Sequence, residues 1–203
     1  MEIEAATAPK GRPREFCVDA ALAAALRVFW SKGYEGASMA DLTEAMGITK
    51  PSLYAAFGNK EALFNKALDL YEREKTDYMR AALDAPTARG VAERLMHGAL
   101  DMYSCPENPG GCLGVINSVA CGAEAECIRE AVVARSAAAK QAMLERFTRA
   151  KAEGDFPDDV DPAGLAAFLT AMNQGMAVQA GAGATRAELE RLVETGLKLW
   201  PGR

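Results

Sequence analysis

Between Ser38 and Phe64 the chain runs SMADLTEAMGITKPSLYAAFGNKEALF, and no other stretch limits the fold as tightly. Ser38 is placed to N-cap a short helix, with Asp41 three residues on in a capping-box position. Leu42, Ala45 and Met46 form the inward side of that helix, and Gly47 supplies the tight turn that follows. Thr49 then caps a second short helix, where Pro51 in the first turn removes no interior hydrogen bond. Leu53 and Phe57 face inward, which leaves Lys50, Pro51, Ser52 and Tyr54 outward near the helix N-terminus.

The rest of the chain reads as helix almost throughout. Ala, Leu, Glu, Lys, Arg and Met dominate, and β-branched clusters of strand length are scarce. Leu22, Ala25, Leu26 and Phe29 recur at helical spacing from about Cys17, and Gly33 ends that run. Leu63, Ala67, Leu70 and Tyr71 continue the period in a helix expected over 60–83, stopped by Pro86. Further helices are expected at 87–104, 110–121, 125–153, 162–180 and 186–199. The breaks between them carry Pro106 with Pro109-Gly110-Gly111, then Gly154-Asp155-Phe156-Pro157, then Gly181-Ala182-Gly183. The expected fold is all-α with about nine helices. A flexible basic arm (1–15) precedes an N-terminal helix-turn-helix domain (16–61), and a larger C-terminal helical domain fills 62–203.

Helix, glycine turn and helix of this size form the helix-turn-helix layout, in which the start of the second helix enters the DNA major groove. The outward residues suit a polyanion. Lys50 supplies charge, while Thr49, Ser52 and Tyr54 carry hydroxyls that donate to phosphate oxygens. Lys60 adds a cation at the N-terminus of the next helix, and Arg12 and Arg14 extend the reach into the adjacent groove or backbone. The whole chain of 203 residues has a net charge of −5, which excludes coating of nucleic acid by bulk charge. Residues 10–60, however, hold seven basic against five acidic side chains, a local balance of +2. A corner of an ordinary helical bundle would show the same two short helices, without needing the basic face.

The stretch from about Ala20 to Phe64 resembles the DNA-binding domain of the TetR family of bacterial regulators. Gly33-Tyr34, Ser38-Met39, Ile48 to Tyr54 and Phe57 to Glu61 carry the likeness. It implies a homodimeric repressor acting on a double-stranded operator, with a variable C-terminal domain that binds a small-molecule effector. The resemblance sets Thr49, Lys50, Pro51, Ser52 and Tyr54 on the recognition helix, and Lys60 where the family meets backbone phosphate. Ser38 joins this DNA-facing set. Ala55 and Ala56 depart from the bulkier or polar residues common there, which bears on phosphate contacts and operator preference.

The last two helices offer apolar positions for a dimer interface, Leu165, Phe168, Leu169, Met172 and Met176, then Leu189, Leu192, Val193, Leu197 and Trp200. Closure of the monomer core competes for the same residues. Met102, Met143, Phe147, Phe168, Met172, Asn173 and Met176 are the candidate effector contacts, Asn173 being the polar one. Cys112 joins them, because Cys105 and Cys112 flank a Pro/Gly-rich connector and Cys112 begins a helix, where the dipole favours thiolate. Some TetR-like regulators sense electrophiles or oxidants through cysteine, and a Gly-Cys pair recurs at this point in members with this kind of C-terminal domain. Burial as a small apolar residue is the plainer role for Cys112. Cys121 and Cys127 read as structural. With one histidine and no C-x-x-C, no metal site or cofactor is expected.

A ligand-responsive transcriptional repressor is therefore the expected function, with a cysteine switch through Cys112 as its variant. An enzyme is not expected, since no nucleophile–base motif or phosphate loop occurs. A DNA-organising or partner-binding protein without a small-molecule response is the third class, and the absence of a cavity would favour it. No apolar run spans a membrane, and the acidic start lacks a signal-type core, so a cytoplasmic location is expected.

Overall fold

The computed structural model describes residues 17–119 and 125–201. The basic arm with Arg12 and Arg14, and Cys121, lie outside the described residues. The first helix, α1 (Val18–Gly36), buries Ala21, Ala25, Leu26, Phe29 and Trp30 on one face. Its expected end at Gly33 is a kink within it, where φ 71° and ψ 173° leave the helical region. The short helices follow as α2 (Met39–Met46) and α3 (Lys50–Phe57), separated by Gly47 in the left-handed conformation. Ser38 and Asp41 form the capping box, and Thr49 accepts from the Ser52 amide. Leu42 and Met46 are buried, but Ala45 is exposed, because α2 is covered on one side only.

The single helix expected over 60–83 is two, α4 (Lys60–Lys75) and α5 (Asp77–Ala82). Thr76 separates them with φ −119° and ψ 8°. Its hydroxyl donates to the Glu72 carbonyl at 3.2 Å, the back-bonding by which a β-branched hydroxyl residue interrupts a helix. This break raises the count to ten among the described residues. The remaining helices are α6 (Ala88–Tyr103), α7 (Leu113–Val119), α8 (Glu126–Ala152), α9 (Pro162–Gly181) and α10 (Arg186–Lys198). Thr87, Asp161 and Thr185 cap α6, α9 and α10 through side-chain oxygens.

Helix α1 packs on α2, α4 and α7, while α6 lies among α5, α9 and α10, and α8 runs along α7 and α9. Phe29 meets Phe64 edge-on at 5.1 Å, and Trp30 meets Tyr71 edge-on at 4.8 Å. The Trp30 indole N–H donates to the Gly111 carbonyl at 3.0 Å, tying α1 to the connector before α7. On α8 the buried Arg146 donates to the carbonyls of Leu83, Ala85 and Pro86, holding the turn between α5 and α6. Gly98 is required on α6, since a methyl there would run into the Tyr78 ring.

The α2 start depends on charge. Ser38 donates through its amide and hydroxyl to Asp41, and Lys32 donates to the other carboxylate oxygen at 2.6 Å. The Lys32 ammonium, then Ser38, hold the Asp41 carboxyl well below its ordinary value of 3.8. A carboxyl depressed on folding contributes stability above its unfolded value and loses it as the pH falls. Ser38→Ala should lower stability by about 1 kcal/mol, measured by urea unfolding at neutral pH, and that difference should shrink as the pH drops below the aspartate range.

Candidate nucleic-acid interface and internal cavity

Burial of Leu53 and Phe57 fixes the rotation of α3, and the residues between them necessarily face out. Lys50, Pro51, Tyr54, Ala55 and Ala56 are exposed, Tyr54 at 52 %. Thr49 is exposed, and its hydroxyl lies 3.0 Å from that of the half-buried Ser52. Ser38 stands exposed at the start of α2 with its hydroxyl engaged on Asp41. Lys60 opens α4 beside the Asn59 cap, where Asn59 accepts from the Ala62 amide at 2.7 Å. Its ammonium lies 4.4 Å from the centre of the Tyr34 ring, a cation–π contact. Burial lowers the Lys60 pKa, opposed by the nearby Glu35 carboxylate.

Helices α4 to α9 enclose a cavity of about 1080 Å³. Its walls are mostly apolar. There the Tyr103 hydroxyl donates to Asn173 Oδ1 at 2.7 Å, and the Tyr71 hydroxyl donates to Cys112 Sγ at 3.3 Å. Burial first, and the neighbouring Cys112 second, push both phenols well above the ordinary tyrosine value. Toward solvent the lining includes Arg135, which bridges to Asp69 and Glu72 at 2.7 Å each.

Of the eight side chains expected to meet an effector, Cys112, Met143, Asn173 and Met176 line this cavity. Met102, Phe147, Phe168 and Met172 do not. Met102 is buried in the α6 packing, and Phe147 belongs to an aromatic cluster with Phe156 and Trp200. Phe168 and Met172 lie with Leu192 in a shallow hollow of about 200 Å³ between α9 and α10. Within that helix pair, Leu169, Met176, Leu189, Val193 and Trp200 close the protomer core, leaving Phe168, Met172, Leu192 and the exposed Val178 toward the outside. Tyr71, Tyr103, Met79 and Arg135 are cavity residues that sequence reasoning missed. A tyrosine at an inward helical position was the available signal, because a buried hydroxyl usually takes a partner.

Among the described residues the cysteines are not joined. Cys105 and Cys112 are free thiols, Cys105 donating to Glu107 at 2.8 Å and Cys112 accepting from Tyr71. Cys127, expected to be structural, is exposed in the first turn of α8. No described helix is long and apolar enough to cross a membrane.

Comparison with known proteins agrees with this architecture. Residues 21–67 match the family model for bacterial regulatory proteins of the tetR family, and residues 92–195 match the tetracyclin repressor-like C-terminal domain. The HTH-type transcriptional repressor ComR of Escherichia coli is 32% identical over 194 residues, covering 95% of this chain and 92% of the relative. The E. coli repressor BdcR is 39% identical over 106 residues, about half of each chain (51% and 52%). Among solved structures, a cysteine mutant of the TetR family regulator CifR, complexed with 26-bp double-strand operator DNA, is 42% identical. It superposes with a TM-score of 0.88 over 94% of this chain and 100% of its own. The chain belongs to the TetR family of bacterial transcriptional regulators.

Proposed function

We propose that the chain is a sequence-specific DNA-binding repressor, acting as a homodimer on a palindromic double-stranded operator and released by a small-molecule effector. The observation that carries this reading is the exposed start of α3, held at one rotation by the buried Leu53 and Phe57. Residues 16–61 serve as the DNA-reading domain, with Arg12 and Arg14 of the arm (1–15) adding contacts, and residues 62–203 serve effector binding and dimerisation. Lys50, Pro51 and Tyr54 meet base edges and phosphates, while Thr49, Ser52, Ser38 and Lys60 fix register on the backbone. The outer residues of α9 and α10 supply an apolar face for pairing two protomers. ComR is described as a repressor and CifR has been seen on its operator, which supports the same activity here. The chain acts as a regulator rather than an enzyme, in the cytoplasm and without a cofactor.

The effector site is the cavity among α4 to α9. Its apolar walls suit an uncharged molecule, since the ionic groups around Arg135 are already paired. To release DNA, the effector binds the non-DNA form more tightly, and about 1–3 kcal/mol of such coupling changes operator affinity roughly 5- to 150-fold. A second reading is favoured by one contact, the Tyr71 hydroxyl on the Cys112 sulfur inside this cavity. In it, an electrophile bonds to Sγ, the thiol proton leaves, and the adduct itself is the occupant.

Selection of source-genome fragments on the purified protein tests the main reading. Recovery of a palindromic site supports it, and no enriched site at physiological salt defeats it. Peroxide or an alkylating electrophile should then release that site only if the thiol branch holds, and equal release of Cys112→Ser would remove that branch. Lys50→Ala and Tyr54→Ala should each weaken operator binding by about tenfold with the dimer intact, measured by fluorescence anisotropy and sedimentation. Lys60→Ala should reduce the slope of log affinity against log salt by about one, and normal binding at every salt concentration would displace Lys60 from the phosphate role. Asn173→Leu strands the Tyr103 hydroxyl and should cost about 1–3 kcal/mol of stability. Adding Tyr103→Phe should recover most of that loss in thermal unfolding.

A further inference from the structure

Helix α7 has two working faces. Gly114, Val115 and Ser118, with Cys112 just before the helix, line the cavity. Leu113, fully buried, and Asn117, 1 % exposed, lie on the opposite face. Asn117 Oδ1 accepts from the Tyr34 amide at 2.7 Å, while its Nδ2 donates to the Leu113 carbonyl at 2.8 Å. The contact falls at the α1 kink, where Ile116 also closes in. A Cβ on Gly33 would stand 3.4 Å from Ile116 Cγ2. Tyr34 in turn carries Lys60 over its ring and meets Phe64 edge-on at 5.4 Å. One buried polar side chain therefore joins a cavity wall to the helix that supports α2 and α4.

We infer that Asn117 is a positioning residue, through which displacement of α7 by a cavity occupant moves the α1 kink at Gly33-Tyr34 and with it the DNA-reading helices. The inference rests on the effector reading given above. A buried side-chain amide suits this role because its two hydrogen bonds leave it one arrangement, with no easy slippage between the helices. An apolar contact in its place would slide. The Trp30 indole bond to Gly111, the residue just before Cys112, ties the connector to the same helix, and Asn117 adds a second tie one helical turn into α7.

The test uses substitutions as the occupant and needs no ligand. Cys112→Trp places a large ring against Tyr71 and forces α7 outward, and Asn117→Ala removes the proposed link. The native chain, both single variants and the double variant are compared, with Gly114→Leu and Ile116→Ala replacing any variant that fails to fold. Amide exchange of peptides covering residues 30–37 is followed without DNA, and affinity for the selected operator is followed beside it. Cys112→Trp should speed exchange at Tyr34 and weaken operator binding by about tenfold each, and in the Asn117→Ala background it should add less than about threefold to either. Equal factors in both backgrounds would overturn the role of Asn117, as would unchanged exchange over 30–37 in a folded Cys112→Trp chain. Failure of the native chain to select any operator would defeat the operator reading, and the exchange comparison would still decide the link.

Discussion

The seam between α1 and α7 is the constraint on which the molecule's organisation depends. Without it, α1 and the short helices packed beside it would be joined to the rest of the molecule through α4 alone. Trp30 commits most to the seam, since its ring packs edge-on against Tyr71 of α4 while its N–H reaches the Gly111 carbonyl. A buried indole usually finds a partner for its donor. The connector before α7, and not another helix, provides the acceptor. The left-handed φ of 82° at Gly111 belongs to the same arrangement, as a side chain there would press on the Ala177 carbonyl.

The cavity follows from this framework. Six helices leave a volume of about 1080 Å³ among them, and some of the polar groups inside are satisfied by one another. Tyr103 with Asn173 and Tyr71 with Cys112 form two such pairs. Beside these hydrogen-bonded pairs the lining carries ionic groups, among them Arg135 bridged to Asp69 and Glu72. On the effector reading proposed above, recognition there works by shape and by exchange of hydrogen bonds. Discrimination among occupants of similar size then falls to the few polar contacts, because an extra methylene is worth little in a soft apolar pocket.

Local chemistry made the N-terminal third legible. Caps at Ser38 and Thr49, the glycine at position 47 and the inward Leu53 and Phe57 all act within a few residues, and each stands as the pattern indicates. The helix boundaries from Ala88 onward follow their Pro and Gly breaks for the same reason. Thr76 was missed because a single threonine inside a good helical pattern signals nothing until its hydroxyl turns back on Glu72. The cavity was half legible. Asn173 and Met176 share a stripe with Met172 and Phe168 at helical spacing, and only tertiary packing decides that two face inward and two face α10. Phe147 went to an aromatic cluster with Trp200, a partner more than fifty residues away in sequence.

The charge distribution carries a further consequence. A segment of +2 caps a chain whose overall charge is −5, so the remainder is acidic. Toward a polyanion the two parts of the sequence respond with opposite signs. The basic segment is drawn in while the acidic remainder is pushed off before any specific contact forms. Added salt screens the attraction and the repulsion together. Its effect is therefore to blur the preference between the two segments as well as to weaken the encounter, and specific contacts must then find their register from a wider range of approaches.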